Sequence, residues 1–269
     1  GHYGHQWAGM LVKSGMNVSM EKTTVLRHVS GEHHRKDDGY DARKLYEYAL
    51  RFCDALSGYA PVSPKQDHLR QLYRIYRQLR GAMTSLKQLR TSCSCTPAVE
   101  VVTGELEHVK TRQKQLLKTA LDMIKANELL HDYYKILVSA PGMGPITAWY
   151  WLTRFPIGRP LNGRQTASWL GTAPHPRQSG SRRRPDRSSG HGDRELRRLL
   201  HLCARSQATH NPLRRAYYQR LVQQGKPKRL VLNNIVNRQI NLLCQLWNKA
   251  EYYDPNYQQK QQHLFLTKS

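Results

Sequence analysis

Three groups of side chains in this sequence have types and spacings that can do chemistry. The first centres on Ser179, in "PRQSGSRRR", with Arg177, Arg182, Arg183 and Arg184 around it. A serine hydroxyl is a weak nucleophile until a base removes its proton or the leaving oxygen is stabilised. Guanidinium groups can hold the oxygens of a phosphodiester in forked hydrogen bonds and neutralise the charge that develops in its transition state. His175 and Asp186 are the nearest candidate bases, and Ser181 is a second candidate hydroxyl. Without an activating partner, the same serine is an ordinary turn residue.

The second group is acidic. "RKDDGYDARKL" places Asp38 and Asp41 three residues apart at a helix start. That spacing projects both carboxylates to one side, where their oxygens suit a hard cation such as Mg²⁺. Acidic residues at a helix start also cap free amides and favour the helix dipole, and spacing alone does not separate the two roles. The third group is "APGMGPITA", a turn with Gly142 and Gly144 between two apolar helical stretches. Glycines let a backbone approach a phosphate closely, and free amides at the following helix start can bind it. This pattern predicts a helix-hairpin-helix; a plain connecting turn has the same signature. The paired Tyr217 and Tyr218 could also attack phosphate, but paired tyrosines on a helix are more often packing or stacking residues.

These groups lie in a chain built for a polyanion. Its 269 residues carry 43 Lys+Arg against 19 Asp+Glu, a formal charge of +24 and a pI near 10.1. A field of that sign concentrates phosphate. Half of the excess falls between residues 171 and 230, with fifteen Lys+Arg and three acids, and includes Arg194 and Arg197 in "RELRRLL". No run approaches the ~20 apolar residues of a spanning helix, and the basic segments lack an apolar face, so nucleic acid is favoured over a membrane. The five cysteines are odd in number and include a one-residue spacing, Cys93 and Cys95. That reads as reduced thiols in a cytoplasm rather than a disulfide framework or a zinc site.

The elements that must position these groups are mainly helical. "HQWAGMLVKSG" has helical spacing and stops at Gly15, "MNVSMEK" alternates as a strand does, and "DARKLYEYALRFCDAL" is amphipathic, with Ala42, Leu45, Ala49 and Phe52 as its expected buried stripe. Residues 1–58 thus read as part of an α/β unit. "SGYAPVSP" marks a boundary. Between 59 and 135 two heptad runs follow. One is Leu69, Leu72, Tyr76, Leu79, Met83 and Leu86; the other is Leu106, Val109, Gln113, Leu116, Ala120, Met123, Asn127 and Leu130. They predict a coiled-coil hairpin, closed on itself or paired with a second subunit. Residues 136–258 form a helical domain that carries the serine, and 259–269 a polar tail.

Taken in order, "GHYGHQWAGMLVKSGMNVSM", "KDDGYDARKLYEYA" and "APGMGPITAWYWL…TASWLGTAPHPRQSG…GHGDRELRRLL" resemble the Asp-Glu-Asp-Asp transposases, or bridge recombinases, of bacterial insertion sequences. This is the insertion-sequence one-ten family, with Piv-type invertases as relatives. The resemblance spans nearly the whole chain. It assigns the family's Lys-x-Asp-x-x-Asp-Ala motif to Lys36, Asp38, Asp41 and Ala42, and the serine of a Gln-Ser-Gly-like motif to Ser179. It implies a RuvC-like, RNase H-type domain at 1–58, joined by a coiled coil to a helical transposase domain. It also implies that the serine becomes bonded to a 5′ phosphate, beside Mg²⁺ held by four acids of a partner subunit. DNA, a guide RNA and further copies of the chain are the implied partners, in a bacterial, nucleoid-associated setting. Gly1-His2-Tyr3 aligns with the tail of the family's Thr-Gly-x-Tyr motif, so the first Asp and the Glu are expected upstream of Gly1. Gly190 stands where the family has Lys, Asp37 where Thr is commoner and Gly39 where a basic residue is usual. The expected function is DNA recombination, with a truncated, catalytically inactive remnant that only binds or assembles as the alternative.

Overall fold

The computed structural model describes residues 2–21, 23, 25–26, 37–56, 58–59, 63–179 and 182–256. Lys36, Ser181 and the tail at 259–269 lie outside the described residues. The chain divides into two compact units, Gly1–Ser63 and Pro64–Ser269.

The first unit contains α1, His2–Lys13, and α2, Asp38–Arg51, followed by a 3₁₀ turn at Cys53–Ala55. α1 ends where expected, with Gly15 at φ +81°. Two expectations fail here. The segment from Met16 forms only an isolated bridge, Ser19 to Gly58, beside the Tyr59 amide donating to Val18 at 2.6 Å. A strand needs a neighbour to complete its ladder, and alternation cannot supply one. The stripe on α2 is also open: Ala42, Leu45 and Ala49 are exposed and Phe52 is half-buried. A hydrophobic face in sequence records which side could be covered, and no residue of α2 is buried.

The second unit is helical apart from one β-ribbon. Two long helices, α3 (Pro64–Ser92) and α4 (Thr96–Lys125), pack on each other. Every expected seam residue on them is buried or half-buried. Gln113, a polar seam position, donates from Nε2 to the Tyr76 carbonyl at 3.4 Å. The second seam does not run on as one helix to Leu130. Asn127 interrupts it, accepting the Leu130 amide at 3.0 Å, and so caps α5, Glu128–Ser139. Asparagine prefers to satisfy free amides at a cap rather than continue a helix.

The remaining helices are α6 (Pro145–Arg154), α7 (Gly163–Trp169), α8 (Arg194–His210), α9 (Pro212–Gln223) and α10 (Lys228–Lys249). Side-chain caps start three of them: Asn162 for α7, Asp193 for α8 and Asn211 for α9. The core gathers Trp149, Trp151 and Trp247 with Leu69, Ile124, Leu137, Leu200, Ile235 and Ile240, all within 2% of full burial. The two neighbouring carbonyls at the C-terminal end of α6 are covered from α3. Gln66 donates to the Leu152 and Phe155 carbonyls at 2.8 and 3.0 Å. Between α7 and α8 runs the ribbon, β1 (Pro174–Ser179) against β2 (Arg182–Ser188). No helix among the described residues is long and apolar enough to cross a membrane.

Candidate nucleic-acid interface

Ser179 is the last residue of β1 and pairs in antiparallel register with Arg182. Gln178 stands opposite Arg183 and Arg177 opposite Arg184. The backbone register therefore places the pairs Arg177–Arg184, Gln178–Arg183 and Ser179–Arg182 in succession along the ribbon. A register shift between His175 and Arg177 separates this set from the His175–Arg187 pair below it. The flanking Pro174, Ser188 and Ser189 are exposed.

The base of the ribbon is locked to the helices by residues with no obvious motif. Thr172 is fully buried, and its carbonyl accepts from Asn233 at 2.9 Å and Asn237 at 3.2 Å, both on α10. Arg197 donates from one guanidinium nitrogen to the Leu170 carbonyl at 3.1 Å and the His191 carbonyl at 3.3 Å, tying the two ends of the excursion together. Gly171 has φ +69°, and a Cβ there would overlap the His191 carbonyl. Only glycine fits that crossing. Arg197, expected to touch nucleic acid, thus has at least part of its guanidinium engaged inside the protein. Arg194 is exposed at the start of α8.

Two of the three acids in the basic stretch hold this region together. Asp193 caps α8 by accepting the Glu195 and Leu196 amides, both at 3.0 Å. It also accepts from the Tyr150 hydroxyl at 3.0 Å and lies 2.7 Å from Nε of Arg154. Burial raises the Tyr150 pKa, and the Asp193 charge raises it further. Glu195, 8% exposed, accepts two bonds from Arg80 at 2.8 and 3.0 Å, two from Arg198 at 3.1 and 2.8 Å, and one from Tyr73 at 2.7 Å. Burial alone would push its carboxyl up. The bonds from Arg198, Arg80 and Tyr73 outweigh that and hold it well below the usual carboxylate range. Two carboxylates and three guanidiniums leave a local excess of one positive charge. The sequence reading missed Asp193 and Glu195; the available signal was a capping acid directly before "RELRRLL".

The excess charge borders a groove of about 370 Å³. It is lined by Arg80, Arg198, Ile146, Leu199 and Leu202 and by Gly142, Gly144 and Pro145 of the turn. α6 begins here at Gly144 with no side-chain cap, and Pro145 occupies its first turn. The two glycines differ. Gly142 has φ +74°, and a Cβ there would lie 2.8 Å from the Cys203 carbonyl. Its freedom serves the turn and the packing on α8. Gly144 has nothing within 4 Å of that position and leaves the helix start open.

In the first unit, Asp38 and Asp41 are exposed in the first turn of α2. Asp37 is the capping residue, accepting the Gly39 amide at 3.0 Å. The donor type suits Mg²⁺. Among the described residues, however, no three His, Cys, Asp or Glu side chains come together as a metal site.

Residues 134–219 match the family model of the Transposase IS116/IS110/IS902 family. The matched residues run from α5 through the glycine turn, α6, α7, the ribbon and α8 into α9, so they include Ser179, its neighbouring arginines, Asp193 and Glu195. Over 165 residues the chain is also 26% identical to a Streptomyces coelicolor protein, the insertion element IS110 uncharacterized 43.6 kDa protein. That alignment covers 59% of this chain and 40% of the relative, so the chain spans well under two thirds of the relative's length.

Proposed function

We propose that this chain belongs to an insertion-sequence transposase that cuts and rejoins DNA with Ser179 as its nucleophile. The observation that carries the reading is the ribbon register within the matched residues 134–219: Ser179 pairs with Arg182, and Arg177 with Arg184 two positions along. In this reading the serine oxygen bonds to phosphorus while the P–O3′ bond breaks. The strand then ends in a free 3′ hydroxyl, and its 5′ phosphate is esterified to the protein. The exchange conserves the phosphodiester's free energy, so rejoining needs no nucleotide cofactor. The arginines hold the phosphate and offset the charge of the transition state. The turn at Gly144, the open start of α6 and the basic groove act as a helix-hairpin-helix that holds a strand's backbone independently of its sequence.

Asp38 and Asp41 supply half of a four-carboxylate set in a RuvC-like domain. Water and phosphate oxygens would complete the shell around Mg²⁺ beside these carboxylates. When bound, the ion would draw charge from the phosphoryl oxygens. Pairing of the long α3–α4 helices between subunits would bring one copy's acids to another's serine, and a guide RNA would share the basic surface with DNA.

The test is covalent capture on supercoiled DNA with Mg²⁺, using protein in which the other two carboxylates are supplied in cis or in trans. The proposal expects a protein–DNA adduct that Ser179→Ala abolishes and Ser181→Ala retains. An adduct of undiminished yield in Ser179→Ala contradicts it.

A further inference from the structure

A second cluster of cationic side chains lies on α9 and α10. Arg214, Tyr217 and Arg220 are spaced by three along α9 and share one side of it. Across from them, α10 brings Arg238 over the Tyr217 ring, with its guanidinium carbon 4.2 Å from the ring centre. Arg220 approaches the same ring at 5.8 Å. The ring itself packs against the helical core, which fixes its position.

The charge balance at this place is unusual. Among the described residues, no carboxylate lies within ion-pairing distance of Arg214, Arg220 or Arg238, whereas Glu195 and Asp193 serve the arginines near the groove. Arg214 is half-buried, and burial followed by the nearby Arg238 charge lowers its pKa. Three guanidiniums around one aromatic ring repel one another. A π-stacked guanidinium keeps its N–H edge directed away from the ring, ready for a forked acceptor. A phosphate oxygen pair satisfies that edge and relieves the repulsion.

We infer that Arg214, Arg220 and Arg238, beside Tyr217, form a phosphodiester-binding site for a nucleic-acid strand. The inference rests on the reading of the chain as a nucleic-acid-handling protein and adds a specific contact to it. DNA and RNA backbones present the same phosphodiester, and the experiment separates them.

The probes are a labelled 20-nucleotide DNA duplex and a single-stranded RNA of matching sequence, each titrated with full-chain protein across a salt series. Arg220 and Arg238 are exposed, so Arg220→Gln with Arg238→Gln removes charge without opening the core. The log–log salt slope should fall by about 0.9 for each phosphate that is no longer neutralised. Affinity at ~0.1 M salt should fall about tenfold or more, for the nucleic acid this site holds. Tyr217→Phe, which keeps the ring, should bind as the parent does, as should Lys110→Gln on α4. Weakening confined to one probe assigns the site to DNA or to RNA, and weakening with both supports a shared site. If the parent binds either probe and the double variant matches it in affinity and slope, the inference is overturned while the broader reading stands. If the parent binds neither probe, the broader reading falls, and this inference with it.

Discussion

Replacing Glu195 by glutamine tests how α8 is held to α3 in the second unit. The substitution keeps the shape and removes the charge. In the native chain five hydrogen bonds converge on this carboxylate from Arg80, Arg198 and Tyr73. A glutamine has one acceptor oxygen, and its amide would turn donors toward guanidinium donors. Breaking a fully buried ion pair from one side costs about 3–5 kcal/mol. The Arg80 and Arg198 side chains are 32% and 41% exposed and can recover water, which places the expected destabilisation lower, at about 2–4 kcal/mol. For a unit of this size that corresponds to a fall in Tm of roughly 4–16 °C. The pH dependence supplies a second readout. The folded pKa of Glu195 lies below its ordinary value of 4.5, so the unfolded chain binds the proton first as pH falls. The contribution is complete above about pH 5.5 and is lost as pH drops through 4.5 toward the folded pKa. Parent and Glu195→Gln denaturation curves should therefore differ by a constant amount near neutral pH and converge in acid. A variant within about 0.5 kcal/mol of the parent at pH 7, or a gap that does not narrow in acid, refutes the assigned role.

Other substitutions separate packing from ligand binding. Gly142→Ala forces a positive φ on a side chain that also meets the Cys203 carbonyl, and should destabilise by about 2–4 kcal/mol in chemical denaturation. Gly144→Ala, in open space, should cost no more than about 1 kcal/mol yet weaken nucleic-acid binding in a titration by crowding the start of α6. Asp38→Asn and Asp41→Asn, on exposed positions of α2, should each change stability by less than about 1 kcal/mol and abolish strand cleavage in the adduct assay. Tyr73→Phe removes a single bond to Glu195 and should cost about 1–2 kcal/mol, read by the shift of the denaturation midpoint.

The helices were legible because their signals are local. The α3–α4 seam follows from heptad spacing, and every one of its residues on those helices is buried or half-buried. The break at Asn127 was not read: the seam pattern ran through it, and only the structure shows it capping α5. The ribbon was harder to see. "PHPRQS" and "RRRPDRS" carry prolines and charges instead of β-branched residues, and only the Gly-Ser between them signals a hairpin. What positions Ser179 was not legible. Thr172, Asn233, Asn237 and Arg197 come together from distant segments, and nothing in their spacing announces it. The buried Glu195 is a further case, since its partners Arg80 and Arg198 lie 115 and 3 residues away. At the opposite extreme, the amphipathic pattern of α2 was plain, and its stripe is uncovered because a pattern records capacity for burial only.

The most direct measurement is peptide mass spectrometry of the adduct trapped on DNA with Mg²⁺ and a full set of carboxylates. A 5′-phosphoryl nucleotide bonded to the Ser179 hydroxyl is the expected result. A modified Ser181, Tyr217 or Tyr218 would contradict the assignment.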